Sequence, residues 1–112
     1  MRKNCNRIVI ENYYEPCILA TLLNGPSYGY AIQKQIESQL MCQVNRSNVY
    51  RCLSELHAGN AVTKTKEASA EGPERVVYRI TPGGKALLKT WVAELTTQKE
   101  IVNKLIINCT HL

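Results

Sequence analysis

The chain has 112 residues, an apolar share of 45% and a net charge of +5, so it is the size of one domain with a single core. No apolar run reaches the roughly 20 residues of a membrane-spanning helix, so no contact with a membrane is expected. The five cysteines form no Cys-x-x-Cys pair, which argues against a zinc site. Their odd number argues against a secreted disulfide framework and favours a reducing cytoplasm.

The first predicted helix runs from Glu15 to Leu23, and residues 1 to 12 are expected to form an arm or an early helical turn. Its apolar residues recur at the three-four spacing of an amphipathic helix. They are Ile18, Leu19, Leu22 and Leu23. Gly25-Pro26 then ends the helix, because proline cannot continue it.

A second helix is predicted to begin with Ser27 as its N-cap and to end near Leu40. Tyr28, Ile32, Ile36 and Leu40 lie four residues apart and predict a buried stripe. Tyr30 and Lys34 are on the opposite face. A tyrosine at that place, in the first turn, either has no special role or meets a ligand such as a phosphate group.

The third predicted helix follows a polar connection, with Asn45 as its cap, and runs from Arg46 to about Ala58. Its buried stripe is Val49, Cys52, Leu53 and Leu56. Asn60 suits the left-handed residue that ends a helix.

The helical spacing of apolar residues then ends. Residues 61 to 67 and 75 to 80 are rich in β-branched residues and predict a hairpin with a long tip at Gly72-Pro73. Thr81 and Pro82 predict the cap and first position of a fourth helix. A polar break at Thr96-Thr97-Gln98 is expected to precede a last amphipathic segment. The fold class is therefore mainly α with a small β-hairpin (α+β).

Three short helices followed by a hairpin are the layout of a winged helix-turn-helix, whose third helix enters the major groove of DNA. The surface of that helix carries small residues and one arginine, which could approach base edges closely and read guanine. The candidate DNA-binding residues are Tyr30, Lys34, Arg46, Ser47, Asn48, Tyr50, Arg51, Lys64, Lys66, Arg75 and Arg79. Residues 34 to 89 hold nine Lys or Arg against five Glu, which favours this interpretation.

Each of these residues also has a purely structural interpretation. Ser47 and Asn48 could saturate the first turn of the helix, Arg51 could pair with Glu55, and Tyr50 could cover an edge of the core. A winged-helix module that binds an acidic protein instead of DNA is the alternative function, and it would show no preference for a DNA sequence.

Three blocks of the sequence resemble the PadR family of transcriptional regulators, in order and spacing, over roughly residues 16 to 90. They are Ile18-Leu19-Ala20 with Asn24-Gly25-Pro26-Ser27-Tyr28-Gly29-Tyr30, then Asn48-Val49-Tyr50 with Leu53 and Leu56, then Val77-Tyr78-Arg79-Ile80-Thr81-Pro82-Gly83-Gly84-Lys85. The chain departs from the family pattern at Tyr28, at Arg46-Ser47-Asn48 and at Asn60. Because Arg46-Ser47-Asn48 lies where bases would be read, an operator sequence does not transfer from relatives.

The resemblance implies a homodimeric winged-helix repressor that binds an inverted-repeat operator on double-stranded DNA and is released by a small-molecule effector. It also implies that Tyr30 and Tyr50 lie at the DNA surface. Residues 1–82 would form the winged helix-turn-helix domain, and residues 83–112 a C-terminal dimerisation helix. Independently of the resemblance, Trp91 is the candidate effector-binding residue, in a cavity between the dimer-forming helices. The alternative is that Trp91, which lies on the apolar stripe of its helix, is a simple core residue.

An enzyme is not expected, because the two histidines have no acidic partner at a recognisable spacing and no phosphate-binding glycine loop is present. No catalytic residue, metal ligand or cofactor is predicted.

Overall fold

The computed structural model describes residues 7–70 and 72–112, with side chains from Tyr13 onward. Four helices and a three-stranded antiparallel sheet follow each other in the order of a winged helix. The elements are α1 (Arg7–Leu23), β1 (Ser27–Tyr28), α2 (Gly29–Leu40), α3 (Arg46–Ala58), β2 (Val62–Ser69), β3 (Gly72–Ile80) and α4 (Pro82–Asn108). The predicted fold class is confirmed.

The first helix is longer than predicted, since it begins at Arg7 and contains Pro16. A proline inside a helix removes one backbone hydrogen bond. The helix nevertheless continues across it, because Ile18, Leu19 and Leu22 beyond the proline are buried in the core and hold that part of α1 in place.

The prediction that Ser27 caps the second helix is wrong. Ser27 and Tyr28 form the short strand β1, whose partners on β3 are Tyr78 and Val77. The cap position of α2 falls instead on Tyr28, whose side chain makes no capping hydrogen bond. Pairing with a distant strand has therefore replaced a local cap.

Two other caps are confirmed. The side-chain oxygen of Asn45 accepts hydrogen bonds from the backbone N–H of Ser47 at 2.8 Å and of Asn48 at 3.4 Å. The hydroxyl of Thr81 accepts one from the N–H of Gly84 at 2.9 Å, and Pro82 is the first residue of α4. Asn60 has the predicted left-handed conformation, with φ of 64°.

The hairpin and the last helix are both longer than predicted. The strands of the hairpin extend to Ser69 and from Gly72, so the tip is short instead of long. The break predicted at residues 96–98 is absent, because α4 is continuous through it. Thr96 and Thr97 donate their hydroxyls to the carbonyls of Val92 and Ala93, which lets polar residues stay within the helix.

The core lies between α1, α2, α3 and one face of the sheet. Its fully buried side chains are Ile18, Leu19, Leu22, Ile32, Ile36, Leu53, Val49 and Val62. Leu87, Leu88 and Trp91 pack against this core from the first half of α4. Residues 101–107 of α4 are exposed, so the second half of the helix extends past the core.

Candidate nucleic-acid interface

The third helix presents a surface of small residues with one arginine, as its spacing predicts. Val49, Cys52, Leu53 and Leu56 are buried. On the opposite side, the exposed residues are Ser47, Arg51, Ser54 and Ala58. Short side chains let a helix approach the edges of base pairs, and an arginine among them can reach a guanine.

Tyr50 brings the third helix against the start of the second. Its ring and hydroxyl lie directly on the α-carbon of Gly29, where no side chain could fit beside them. The structural interpretation of Tyr50 is thus partly right, yet 41% of the residue remains exposed. The contact places Tyr50 against the first turn of α2, where the next residue, Tyr30, is 52% exposed.

Lys34 lies one turn beyond Tyr30 on α2. Its ammonium group is 5.3 Å from the centre of the Tyr30 ring and 3.5 Å from Oε1 of Glu37. The pKa of Glu37 is lowered, mainly by the hydrogen bond that its carboxylate accepts from the N–H of Val44. Glu37 is thus tied to the loop before α3, and Lys34 stands at the edge of the surface that holds both tyrosines.

The four basic residues predicted on the hairpin lie on two different faces. Lys64 pairs with Tyr78 and Lys66 with Val76, whereas Arg79 pairs with Thr63 and Arg75 with Glu67. Because directly opposite residues share a face, the lysines lie on the face that carries buried Tyr78. Tyr50 raises the pKa of Tyr78, after the larger effect of burial, so α3 is close to this face.

The two arginines are already bound to protein groups. Arg79 forms an ion pair of 2.7 Å with Glu67, which together with a hydrogen bond from Thr65 holds the pKa of that carboxyl below its usual range. Arg75 lies 4.2 Å above the ring of Tyr28 and donates to the Ser69 hydroxyl at 3.0 Å. The structure therefore does not bring these arginines together with the lysines.

We call the surface shared by α2, α3 and the inner face of the hairpin the α3–wing face. It consists of Tyr30, Lys34, Arg46, Ser47, Tyr50, Arg51, Ser54, Lys64 and Lys66. Among the described side chains, those of residues 13–70 and 72–112, no ion pair engages Arg46, Arg51, Lys64 or Lys66. The pairing of Arg51 with Glu55 that the sequence allows is not formed, so four cations of this face can meet phosphate groups or bases.

Asn48 and Trp91 line a cavity of about 280 Å³ that is open to the surface. Its other lining residues are Tyr14, Glu15, Arg51, Cys52 and Glu55, so α1, α3 and α4 all contribute. The indole N–H of Trp91 donates to a carboxylate oxygen of Glu15 at 2.5 Å. Periodicity alone could not reveal this cavity, because Glu15 and Trp91 are 76 residues apart.

Burial favours the protonated form of two cysteine thiols, those of Cys17 and Cys52. Desolvation, and next the carboxylates of Glu15 and Glu55, raise the pKa of Cys52 from 9.0 to about 12. Burial also raises the pKa of Cys17. Cys42 is disulfide-bonded, which the sequence argument for a reducing compartment did not anticipate.

The raised pKa of Cys52 predicts a loss of stability in alkali. Between pH 9 and pH 12 the unfolded chain releases the Cys52 proton while the folded chain keeps it, so the free energy of unfolding falls as pH rises. Below pH 9 both states hold the proton. We expect Cys52→Ala to lose less stability than the original chain between pH 8 and pH 11, measured by urea unfolding. Equal losses would contradict this.

Among the described residues, no helix could span a membrane, and no group of three or more His, Cys, Asp or Glu could hold a metal ion.

Comparison with known proteins agrees with the observed fold. Residues 18–90 match the model of the family described as "Transcriptional regulator PadR-like family". A solved transcriptional regulator from Clostridium thermocellum is 27% identical, with 90% of this chain and 97% of that chain covered and a TM-score of 0.80. A solved PadR-like transcriptional regulator from Bacillus cereus is 24% identical, with 88% and 96% covered and a TM-score of 0.78.

A curated relative, an uncharacterised protein from Lysinibacillus sphaericus, is 28% identical over 97 residues, which are 85% of this chain and 89% of that protein. The family match covers well over half of the chain and includes α2, α3 and the hairpin, the elements that form the α3–wing face. The chain therefore belongs to the PadR-like family of transcriptional regulators.

Proposed function

We propose that the protein is a sequence-specific, dimeric DNA-binding repressor that acts in the cytoplasm and is released from its operator by a small-molecule effector. The observation that carries the proposal is the α3–wing face. It combines a helix surface of small residues with four cations that no acidic group of the described chain engages. Such a surface fits the major groove and the phosphates beside it.

Each part of this face has a distinct task in the proposal. Arg51 projects from the middle of α3 and reads a guanine through two hydrogen bonds. Ser47 and Ser54 leave room for that approach. Asn48 is half-buried at the side of the helix and would reach bases only at its edge.

The remaining residues of the face would bind the backbone. Tyr30, which is 52% exposed in the first turn of α2, and Lys34 suit one phosphate, and Arg46 at the start of α3 suits another. Lys64 and Lys66 suit the phosphates along the groove. Arg75 and Arg79, also predicted as DNA contacts, would have to leave Tyr28 and Glu67 to reach the same backbone.

A dimer through α4 is supported by its uncovered apolar surface. Leu88, Val92, Leu95, Val102 and Ile106 follow the three-four spacing along one side of the helix. Val92 is 55% exposed and Ile106 59%. A groove of about 560 Å³ beside Leu23, Leu88 and Val92 continues this stripe onto α1. An exposed apolar surface of this kind favours association with a second copy of the chain. The resulting dimer would present one α3 helix to each half of an inverted repeat.

Two substitutions separate base reading from phosphate binding. Arg51→Ala should weaken binding to the operator by about 1–3 kcal/mol and leave binding to unrelated DNA nearly unchanged. Lys64→Ala should weaken binding to every sequence alike and lower the slope of log affinity against log salt by about 1 per protomer, since one phosphate contact is lost. Fluorescence anisotropy with labelled duplexes over a salt series measures both quantities.

Lys104→Ala is the matched control, because Lys104 is exposed on α4, away from the α3–wing face and from the apolar stripe. It should bind like the original chain. If Arg51→Ala and Lys64→Ala changed binding to all sequences by the same amount, Arg51 would not read a base. If none of the substitutions mattered, an acidic protein would become the better partner for this surface.

A further inference from the structure

The cavity between α1, α3 and α4 has walls of both charges. Glu15 and Glu55 contribute carboxylates and Arg51 a guanidinium, while the rings of Tyr14 and Trp91 supply flat apolar surface. No ion pair joins Arg51 to either glutamate within the described part of the chain. The carboxylates and the guanidinium thus line the same cavity without forming a direct ion pair with each other.

The size and opening of the cavity suit a small molecule. Its volume of about 280 Å³ is slightly below the roughly 300–1,000 Å³ of typical ligand sites, so it suits only a compact molecule. The hydrogen bond from Trp91 to Glu15 fixes the orientation of both side chains. The side chains of Trp91 and Glu15, which form two walls of the cavity, are therefore already oriented in the absence of a ligand.

The arrangement of charges decides which molecule fits. A simple cation would face Arg51, and a simple anion would face two carboxylates. A molecule with an ammonium and a carboxylate group can satisfy both walls, and an apolar side chain can then lie against Tyr14 and Trp91. We infer that the cavity binds a small zwitterion of the α-amino acid type.

Occupation of the cavity would act directly on the DNA-reading helix. Arg51 belongs both to the cavity and to the exposed face of α3. Its guanidinium cannot bind a ligand carboxylate and a guanine at once. The ligand therefore competes with DNA for one side chain and is an effector that weakens operator binding, a consequence that rests on the proposed function.

Direct binding is tested with three molecules that share a phenylethyl framework and differ in their charged groups. L-phenylalanine carries an ammonium and a carboxylate, 2-phenylethylamine only the ammonium, and 3-phenylpropionate only the carboxylate. Trp91 is the only tryptophan of the chain, so its fluorescence reports on the cavity. We expect a saturable change with L-phenylalanine and affinity at least about ten-fold lower for the other two, since each loses one charged contact. No saturable change with L-phenylalanine, or equal affinity for either analogue, would overturn the inference.

A variant then separates this site from the DNA-binding surface. Glu55→Gln should lower the affinity for L-phenylalanine about ten-fold or more and keep operator binding within about two-fold. Glu94→Gln, which removes an exposed carboxylate of α4 outside the cavity, should change neither property. Equal ligand affinity in the original chain and in Glu55→Gln would contradict the assignment.

The effect on DNA completes the test. L-phenylalanine should lower the operator affinity of the original chain and of Glu94→Gln at concentrations that leave Glu55→Gln bound to DNA. If the chain bound its operator but L-phenylalanine had no effect on it, the inference would fail and the proposed function would stand. If the chain preferred no DNA sequence at all, the proposed function would fail. The fluorescence titration would still show whether L-phenylalanine binds in the cavity.

Discussion

Gly84→Ala is expected to destabilise the fold by about 3 kcal/mol or more, the range of the most damaging single substitutions. A Cβ atom at this position would overlap the carbonyl oxygen of Ala61 and would lie 2.7 Å from Cγ1 of Ile80. The Ala61 carbonyl cannot easily move, because it belongs to the backbone and accepts a hydrogen bond of 3.0 Å from the N–H of Thr81. The start of α4 would have to separate from the sheet.

Gly83→Ala is the control for this prediction. The same helix turn would receive the same methyl group, but its nearest neighbours would be 3.5 Å away, at ordinary contact distance. Alanine also favours a helix over glycine by up to about 1 kcal/mol, so this variant should be neutral or slightly more stable. Urea unfolding measures both variants. Equal free energies of unfolding for the two would show that α4 is not packed on Ala61 as described.

In the proposed dimer, the pair of substitutions Val102→Glu and Ile106→Glu should separate the protomers and lower the affinity for an inverted repeat by about 100-fold or more, because the two half-sites are no longer bound together. Both residues lie on the apolar stripe of α4, in the half that extends past the core, and both are more than half exposed. Two buried carboxylates without partners would oppose association strongly. The fold of each protomer should survive, since neither side chain contributes to the core.

The matched control is Ala93→Glu with Thr97→Glu. It adds the same charge on the opposite side of α4, at two exposed positions. Sedimentation and anisotropy measure oligomeric state and affinity, and circular dichroism checks that each variant is folded. If the stripe variant stayed dimeric or bound the repeat normally, the second half of α4 would not be the dimer interface.

Local side-chain chemistry explains which element boundaries could be predicted. Asn45 and Thr81 each bond to backbone N–H groups two or three residues away, so the sequence around them is sufficient. Ser27 offers the same chemistry but pairs with Tyr78, 51 positions further along the chain. The sequence near Ser27 does not indicate that its backbone will pair with β3.

The candidate site was predictable where it depends on one helix. The periodicity of α3 places Ser47, Arg51 and Ser54 on the exposed side without knowledge of other elements. The site residues of the hairpin also require knowledge of the strand register. The pairing of Lys64 with Tyr78 and of Arg79 with Thr63 decides which face of the sheet each basic side chain occupies. That register depends on the irregularity between Glu67 and Ser69, which composition does not reveal.

The most direct test of sequence-specific DNA binding is selection from a pool of random duplexes by the pure protein at moderate salt, followed by sequencing of the retained DNA. We expect enrichment of an inverted repeat whose half-sites lie about one helical turn, roughly 34 Å, apart. The Val102→Glu, Ile106→Glu variant should not enrich the paired arrangement. Retained DNA with the same sequence distribution as the input pool would contradict the account.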